Sequence, residues 1–339
     1  MAKILKTQEK LYRMVQNMEP NRYFFLPFNY ICEGILRFMI RLSVIIATYN
    51  RSAMLMQTLQ SLVEQNASRY DWECVVVNNN STDDTEKCFE EFIAEHSGFN
   101  IRMVNEPNQG LSYARNRGFR ETEGEYIAIL DDDEKIGPDF IDAYIELFDN
   151  QPDAMAAGGP IVAEYAARKP RWMSSFTERP IANTMYFGDK VKLFPKGRIP
   201  GGGNMAIRRT AIRRYGVFDT SLGYVGETLL GGEESDLFER LEIAGAKYYY
   251  VPKAVMYHII PEQKLTREYL ERLSFNIGVS QRKRARYFHR ERKVMMVEYC
   301  KWVATLAIAL WYGITMRFAK AKYLVIMRRC ITKGLKSKD

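Results

Sequence analysis

Tyr126-Ile127-Ala128-Ile129-Leu130-Asp131-Asp132-Asp133-Glu134 decides the fold. An apolar run of strand length ends abruptly in four acids. Gly137-Pro138 follows, and then Phe140, Ile141, Tyr144, Ile145 and Phe148 recur at helical spacing, with Pro138 suited to a first helical turn. The acids therefore sit on a strand-to-helix loop, at the carboxyl end of a strand, where open α/β sheets bind their ligands. Adjacent carboxylates repel unless a cation is shared, and Mg²⁺ and Mn²⁺ take oxygen ligands. On these four residues alone a solvated acidic turn that caps the next helix is the favoured reading, because short motifs match by chance. The flanking sequence separates the two.

Upstream, Leu42 to Ala47 is a second apolar strand that exits through Thr48-Tyr49-Asn50-Arg51. Ser52 is placed to cap a helix with Leu55, Leu59, Leu62 and Val63 inward. Cys74 to Val77 leaves through Asn78-Asn79-Asn80-Ser81-Thr82-Asp83 into a helix with Cys88, Phe89, Phe92 and Ile93 inward. Ile101 to Val104 is another strand, and Gly110 opens a helix containing Arg115 and Asn116. Regular alternation of strand and helix is the signature of a parallel, Rossmann-like sheet. Its strand exits share one edge, so the three polar clusters should converge on one cleft.

Downstream the pattern loosens. Met155 to Tyr165 reads as one strand, and residues 166–200, with Trp172, Phe176, Tyr186 and Phe187 among Pro and Gly, read as a long loop. Gly201-Gly202-Gly203-Asn204 turns into an apolar segment. Gly231-Gly232-Glu233-Glu234-Ser235-Asp236 opens a helix, where acids are common on electrostatic grounds alone. Lys247 to Val251 and Val255 to His258 are late strands.

Five widely spaced cysteines without a CxxC pair argue against a disulfide framework or a zinc site. The net charge of +8 is uneven: Ser280 to Asp339 holds 16 Lys and Arg against 3 Asp and Glu, a net of +13, which leaves −5 on residues 1–279. The apolar run from Trp302 to Met316 is short of the roughly 20 residues of a spanning helix. With Arg282 to Arg286 and Arg328 to Lys338 flanking it, it reads as an amphipathic segment lying on an anionic membrane surface. A docked helix with a solvated basic face is the plainer alternative; no nucleic-acid motif accompanies the charge.

Residues 42–280 resemble the family 2 glycosyltransferases of the GT-A fold. The likeness rests on ordered motifs: Val44 to Arg51, Val77 to Asp83, Asn108 to Gly118, Asp131-Asp132-Asp133 as a DxD metal motif, Gly202 to Ala206, and Gly232 to Leu237 as the motif carrying the catalytic base. The resemblance implies an α/β, mostly parallel GT-A domain over residues 39–280, preceded by an extension (1–38) and followed by a basic helical region (281–339). It implies inverting transfer from a nucleotide-diphosphate sugar, a UDP-sugar by family habit, to a saccharide or lipid-linked hydroxyl, with Mn²⁺ or Mg²⁺ as cofactor. Implied donor contacts are Thr48, Tyr49, Asn50, Arg51, Asn78, Asn80, Arg115, Asp131 and Asp132. Metal ligands would be Asp133, with Asp131 and His258, and the base would be Glu234 with Glu233 in reserve. Gly202, Gly203, Asn204 and Trp172 are placed beside the acceptor. Two departures stand out. Asn78 replaces the family's aspartate, so the base contact both donates and accepts, and Glu234 carries its carboxylate on a longer stem than the usual aspartate. The implied location is cytoplasmic, on the inner face of the cell membrane. A nucleotidyltransferase and a non-catalytic nucleotide-sugar-binding module share enough of these features to stand as alternatives.

Overall fold

The computed structural model describes residues 40–68, 71–224 and 231–337; the extension read over 1–38 lies outside them. An eight-stranded sheet has the order β3-β2-β1-β4-β9-β6-β10-β8, with β1 Leu42–Thr48, β2 Trp72–Asn78, β3 Ile101–Asn105, β4 Tyr126–Asp131, β6 Ala154–Gly158, β8 Lys192–Leu193, β9 Met205–Arg208 and β10 Lys247–Tyr250. β1 is parallel to both β2 and β4, and every residue of β1 and β2 is buried. That burial on both faces is why they read as continuous apolar runs rather than alternating ones.

Helices cover the two faces. α1 Ser52–Val63 and α2 Thr85–Glu95 bring Leu55, Leu59, Leu62, Phe89 and Phe92 onto Val44, Ile46, Cys74 and Val76. On the other face, α3 Leu111–Glu121 and α7 Glu233–Ile243 bring Ala114, Phe119, Leu237, Phe238 and Leu241 onto Ile45, Val75 and Val77. α4 Phe140–Asn150 joins the first layer and α6 Arg209–Tyr215 the second. The register sets Thr48 beside Asn78 and Ala47 beside Asp131, so the exits of β1, β2 and β4 are level.

The acids lie where β4 gives way to a second sheet, β5-β11-β7, with β5 Glu134–Ile136, β7 Ile161–Tyr165 and β11 Met256–Ile260. β11 runs antiparallel to β5 with His258 opposite Glu134, which brings a residue 124 positions away to the acid loop. The stretch read as one strand over 155–165 is two, β6 and β7, divided by Gly159-Pro160 and assigned to different sheets. The 166–200 loop contains α5 Ser175–Ala182, capped reciprocally by Ser174 and Thr177; Pro180 disguises it in the sequence. Ser52 does not cap α1 but begins it, and its hydroxyl donates to Asp84 Oδ1 at 2.7 Å.

Three long helices close the chain: α8 Arg267–Tyr287, α9 Glu291–Ile314 and α10 Phe318–Lys336. With α5 they form a separate apolar cluster that includes Leu270, Leu273, Tyr312, Leu324, Met327 and Ile331.

Candidate active site

A cavity of about 610 Å³ opens along the carboxyl edge of the large sheet. Its walls include Thr48, Tyr49, Arg51, Asn79, Arg115, Asp131 to Glu134, Gly201 to Gly203, Glu234, His258 and Lys264. The three strand exits do converge, as parallel topology requires.

Arg115 organises the centre. Its side chain is 1% exposed. One amino group donates to Asp131 Oδ1 at 2.7 Å and to the Gly202 carbonyl at 3.3 Å. The other donates to Glu233 Oε1 at 3.0 Å and Glu234 Oε1 at 3.1 Å. One buried cation thus ties the acid loop, the glycine loop and the start of α7 together. With both amino groups engaged, Arg115 holds carboxylates rather than presenting a free donor to a ribose. Glu233 is 1% exposed, and burial, reinforced by Glu234, pushes its carboxyl well above the ordinary range. Glu234 is the more accessible partner, with a side chain 21% exposed.

The glycines are a matter of space. A Cβ on Gly202 would lie 2.0 Å from Glu234 Oε1, and one on Gly203 2.1 Å from Glu134 Oε1. Only bare backbone lets the loop approach both carboxyl groups. Asn204 is fully buried; its amide donates to the carbonyls of Pro160 at 2.9 Å and Ala254 at 3.0 Å. It anchors the loop from behind rather than facing the cavity.

The acid loop is neutralised by cations. Thr48 Oγ1 donates to Asp132 Oδ2 at 2.9 Å, and Arg51 Nη1 to Asp132 Oδ1 at 2.8 Å. Lys264 Nζ donates to Asp133 Oδ2 at 2.7 Å and lies 3.3 Å from His258 Nε2. Burial alone would raise the Asp133 carboxyl, but Lys264, His258 and Arg51 hold it well below the carboxylate range. Asp132, buried with less compensation, is pushed up to about 6. His258 Nδ1 faces the Ala182 carbonyl at 3.1 Å, so the end of α5 aims Nε2 at Asp133, 3.8 Å away. One divalent ion at about 2.1 Å from each of two ligands can span such a gap. Among the described residues no three His, Cys, Asp or Glu side chains form a metal site. Asp133 and His258 are the pair that would hold a divalent ion here, with phosphate or water oxygens completing its shell.

The asparagines build the turn. Asn78 Oδ1 accepts the Ser81 N–H at 3.0 Å and Asn50 Oδ1 the Thr82 N–H at 2.6 Å, while Asn80 donates to the Pro107 carbonyl at 2.7 Å. Asn50 and Asn80 take positive φ, a conformation asparagine tolerates. The member that faces the cavity is Asn79, which donates to Glu106 and Asn108 carbonyls and accepts the Gly110 N–H at 2.7 Å.

Trp172 is corrected outright. It lies outside the cavity lining and stacks on Tyr323 of α10 at 4.5 Å, a large apolar ring captured by the C-terminal cluster. Sequence reasoning missed Lys264, which carries no local motif. It also read Arg282 to Arg286 as a membrane patch, whereas Arg284 faces the cavity and Arg282 is buried against the Ser337 carbonyl.

The profile of glycosyl transferase family 2 matches residues 43–216, more than half of the chain. The chain belongs to glycosyl transferase family 2. It is 27% identical over 257 residues to a glucosyl-dolichyl phosphate glucuronosyltransferase of Haloferax volcanii, covering 71% of this chain and 76% of that one. It is 29% identical over 236 residues to the succinoglycan biosynthesis protein ExoM of Rhizobium meliloti, covering 69% and 71%. Among solved structures it is similar to a mannosyltransferase from Pyrobaculum calidifontis in complex with GDP-Man and Mn²⁺, with a TM-score of 0.58 at 19% identity over 89% of this chain and 88% of that one. The fold is GT-A, and the enzyme is a family 2 glycosyltransferase. The nucleotidyltransferase and binding-module alternatives fall away with that membership.

Proposed function

We propose that this glycosyltransferase moves a sugar from a nucleoside-diphosphate sugar, expected to be a UDP-sugar, to a hydroxyl of a saccharide or lipid-linked acceptor, with inversion and with a divalent metal. The observation that carries the reading is Arg115, bonded at once to Asp131, Glu233, Glu234 and the Gly202 carbonyl at 2.7–3.3 Å. That linkage fixes a carboxylate base relative to the acid loop where the diphosphate would sit.

Glu234 removes the proton of the acceptor hydroxyl as that oxygen bonds to the anomeric carbon. The carbon–oxygen bond to the diphosphate breaks on the opposite face, so configuration inverts. Glu233 is almost fully buried, with burial and the neighbouring Glu234 pushing its carboxyl upward, while Glu234 is the more exposed of the two and so the one an acceptor hydroxyl can reach. Mn²⁺ or Mg²⁺ held by Asp133 and His258, with Asp131 close by, would neutralise charge growing on the leaving diphosphate. In this structure Lys264 is bonded to Asp133 at 2.7 Å, so a divalent ion held by that carboxylate would have to compete with its ammonium. Tyr49, 38% exposed at the cavity wall, offers its ring to the base, and Thr48 and Arg51 hold Asp132 in position for the ribose.

The acceptor is read from the C-terminal helices. α9 has its polar side turned inward: its buried residues are Glu298, Thr305 and Tyr312, and Glu298 receives Arg328 at 3.0 Å and Thr332 at 2.7 Å from α10. Val303, Leu306, Leu310, Trp311 and Ile314 are 57–71% exposed. A soluble helix shows the opposite arrangement, and lipid favours this one. By length and composition α9 could cross a bilayer, which a shorter run would not. We place the enzyme on the inner face of the membrane, with α9 in the lipid and the basic residues of α10 at anionic headgroups.

The test is release of nucleoside diphosphate from a panel of nucleotide sugars, with Mn²⁺, with Mg²⁺ and with chelator, for wild type and Asp133→Ala. Release from one donor, dependent on metal and lost in the variant, is the expected result. Release that chelator leaves intact would overturn the metal assignment.

A further inference from the structure

We propose that Arg284 is the docking point for a phosphate group carried by the acceptor, and that α8 is the wall along which that acceptor reaches Glu234. The inference rests on the reading above in one respect, the place of Glu234 on the acceptor side.

Tyr269, Leu273, Ile277, Ser280, Gln281 and Arg284 line the cavity from α8 at intervals of one to four residues, forming a stripe on a single helical face. The stripe passes from aromatic and aliphatic to polar and ends in a cation. Another face of α8 lies on α10, where Gly278 and Gly334 bring the two backbones together; a Cβ on Gly278 would lie 2.1 Å from the Ile331 carbonyl oxygen. α8 therefore joins the helices with the outward apolar surface to the catalytic cavity.

Arg284 is the surplus charge on this wall. The nearby carboxylates each have another arginine: Glu234 pairs with Arg115 at 3.1 Å, Asp236 with Arg240 at 2.9 Å, and Glu239 with Arg290. Among the described residues Arg284 forms no ion pair, and its buried Nε has no hydrogen-bond partner. Burial outweighs the pull of Glu239, Asp236 and Glu234 and moves the guanidinium below its ordinary value. A buried donor without an acceptor is costly unless a ligand supplies one. A Cβ on Gly232 would stand 3.8 Å from Arg284 Nε, and Gly232 directly precedes the two glutamates. The group that fits is a phosphate: its oxygens match the planar fork of a guanidinium, and it can belong to an amphiphile whose apolar chain follows α9.

The experiment uses the full chain in detergent with saturating Mn²⁺ and nucleoside diphosphate. Calorimetry compares farnesyl phosphate, farnesol, glucose 1-phosphate and inorganic phosphate. Wild type should bind farnesyl phosphate at least tenfold more tightly than farnesol. Arg284→Gln should erase that preference, Arg284→Lys should recover part of it, and affinity for the nucleoside diphosphate should stay within twofold in both. An Arg284-dependent preference for farnesyl phosphate alone assigns the phosphate to a lipid; the same dependence with glucose 1-phosphate assigns it to a sugar phosphate. Equal affinity of wild type for farnesyl phosphate and farnesol, or an unchanged preference in Arg284→Gln, overturns the inference while metal-dependent nucleoside diphosphate binding leaves the donor site intact. Failure of wild type to bind the nucleoside diphosphate overturns the donor-site reading and this inference with it.

Discussion

Lys264 shows how much of this site is decided by single charges. Its ammonium is bonded to Asp133 at 2.7 Å and lies beside His258, in the space a divalent ion would need. Removing it should free the carboxylate. Lys264→Ala is predicted to bind Mn²⁺ in the absence of nucleotide about tenfold more tightly than wild type, measured by paramagnetic resonance of free Mn²⁺; equal affinity would mean that Lys264 does not contest the ion. Nothing in the sequence near Lys264 announces this, because the contact is made across 131 residues through β11 and the short 3₁₀ turn at Glu262–Leu265. Asp131, Asp132 and Asp133 were readable for the opposite reason: four acids directly after a buried strand are locally anomalous. Asn78 illustrates a third case. The residue type invited a ligand contact, but its amide oxygen is spent on the Ser81 N–H, and only coordinates reveal which of three asparagines faces the cavity.

At the scale of elements, the glycine loop and the sheet edge carry separable predictions. A Cβ at Gly202 would meet Glu234 Oε1, the tip of a movable side chain, rather than backbone. Gly202→Ala should therefore lower turnover at least tenfold by displacing the base, with a thermal midpoint within a few degrees of wild type; large destabilisation with normal turnover would contradict it. Glu73 is the structural counterpart. Buried in β2, it accepts hydrogen bonds from Ser43 Oγ at 2.7 Å, Arg102 at 2.6 Å and the Glu123 N–H at 2.6 Å, joining β1, β2, β3 and the turn before β4. Burial acts to raise its carboxyl, but Arg102 and the other donors bring it below 4.5. The folded state thus holds that proton less tightly than the unfolded chain, so the contribution is present above pH 4.5 and is lost as pH falls through and below that value. Glu73→Gln should cost about 2 kcal/mol at pH 7.5 in urea unfolding, with the difference from wild type shrinking as the pH falls below about 4. A penalty independent of pH would rule out this linkage. The strands were legible because parallel, doubly covered strands are uninterrupted apolar runs. α5 was not, because Pro180 within it argues locally against a helix while the Ser174–Thr177 cap and the packing on His258 and α8 sustain it.

Taken whole, the molecule pairs a catalytic sheet with a helical region whose apolar surface faces outward. The apolar run from Trp302 to Met316 is bounded in the sequence by Lys301 and Arg317, yet α9 begins upstream at Glu291. Glu298 is accommodated because Arg328 and Thr332 of α10 satisfy it, a pairing no single segment of sequence displays. The full chain should bind vesicles containing anionic lipid. Leu306→Glu combined with Leu310→Glu, at positions 57% and 67% exposed, should abolish co-sedimentation without lowering the thermal midpoint, since a carboxylate buried in lipid costs about 3 kcal/mol. Unaltered sedimentation would remove α9 from the membrane.

The central claim is that Glu234, held by Arg115, is the base of a metal-assisted displacement. The most direct measurement is the rate of nucleoside diphosphate release at saturating donor and Mn²⁺, with membrane lipid extract supplying acceptor, for wild type, Glu234→Gln and Glu233→Gln, alongside donor affinity. The account predicts a fall of about a hundredfold or more for Glu234→Gln with donor affinity preserved, and a clearly smaller fall for Glu233→Gln. Release by Glu234→Gln within threefold of wild type would contradict it.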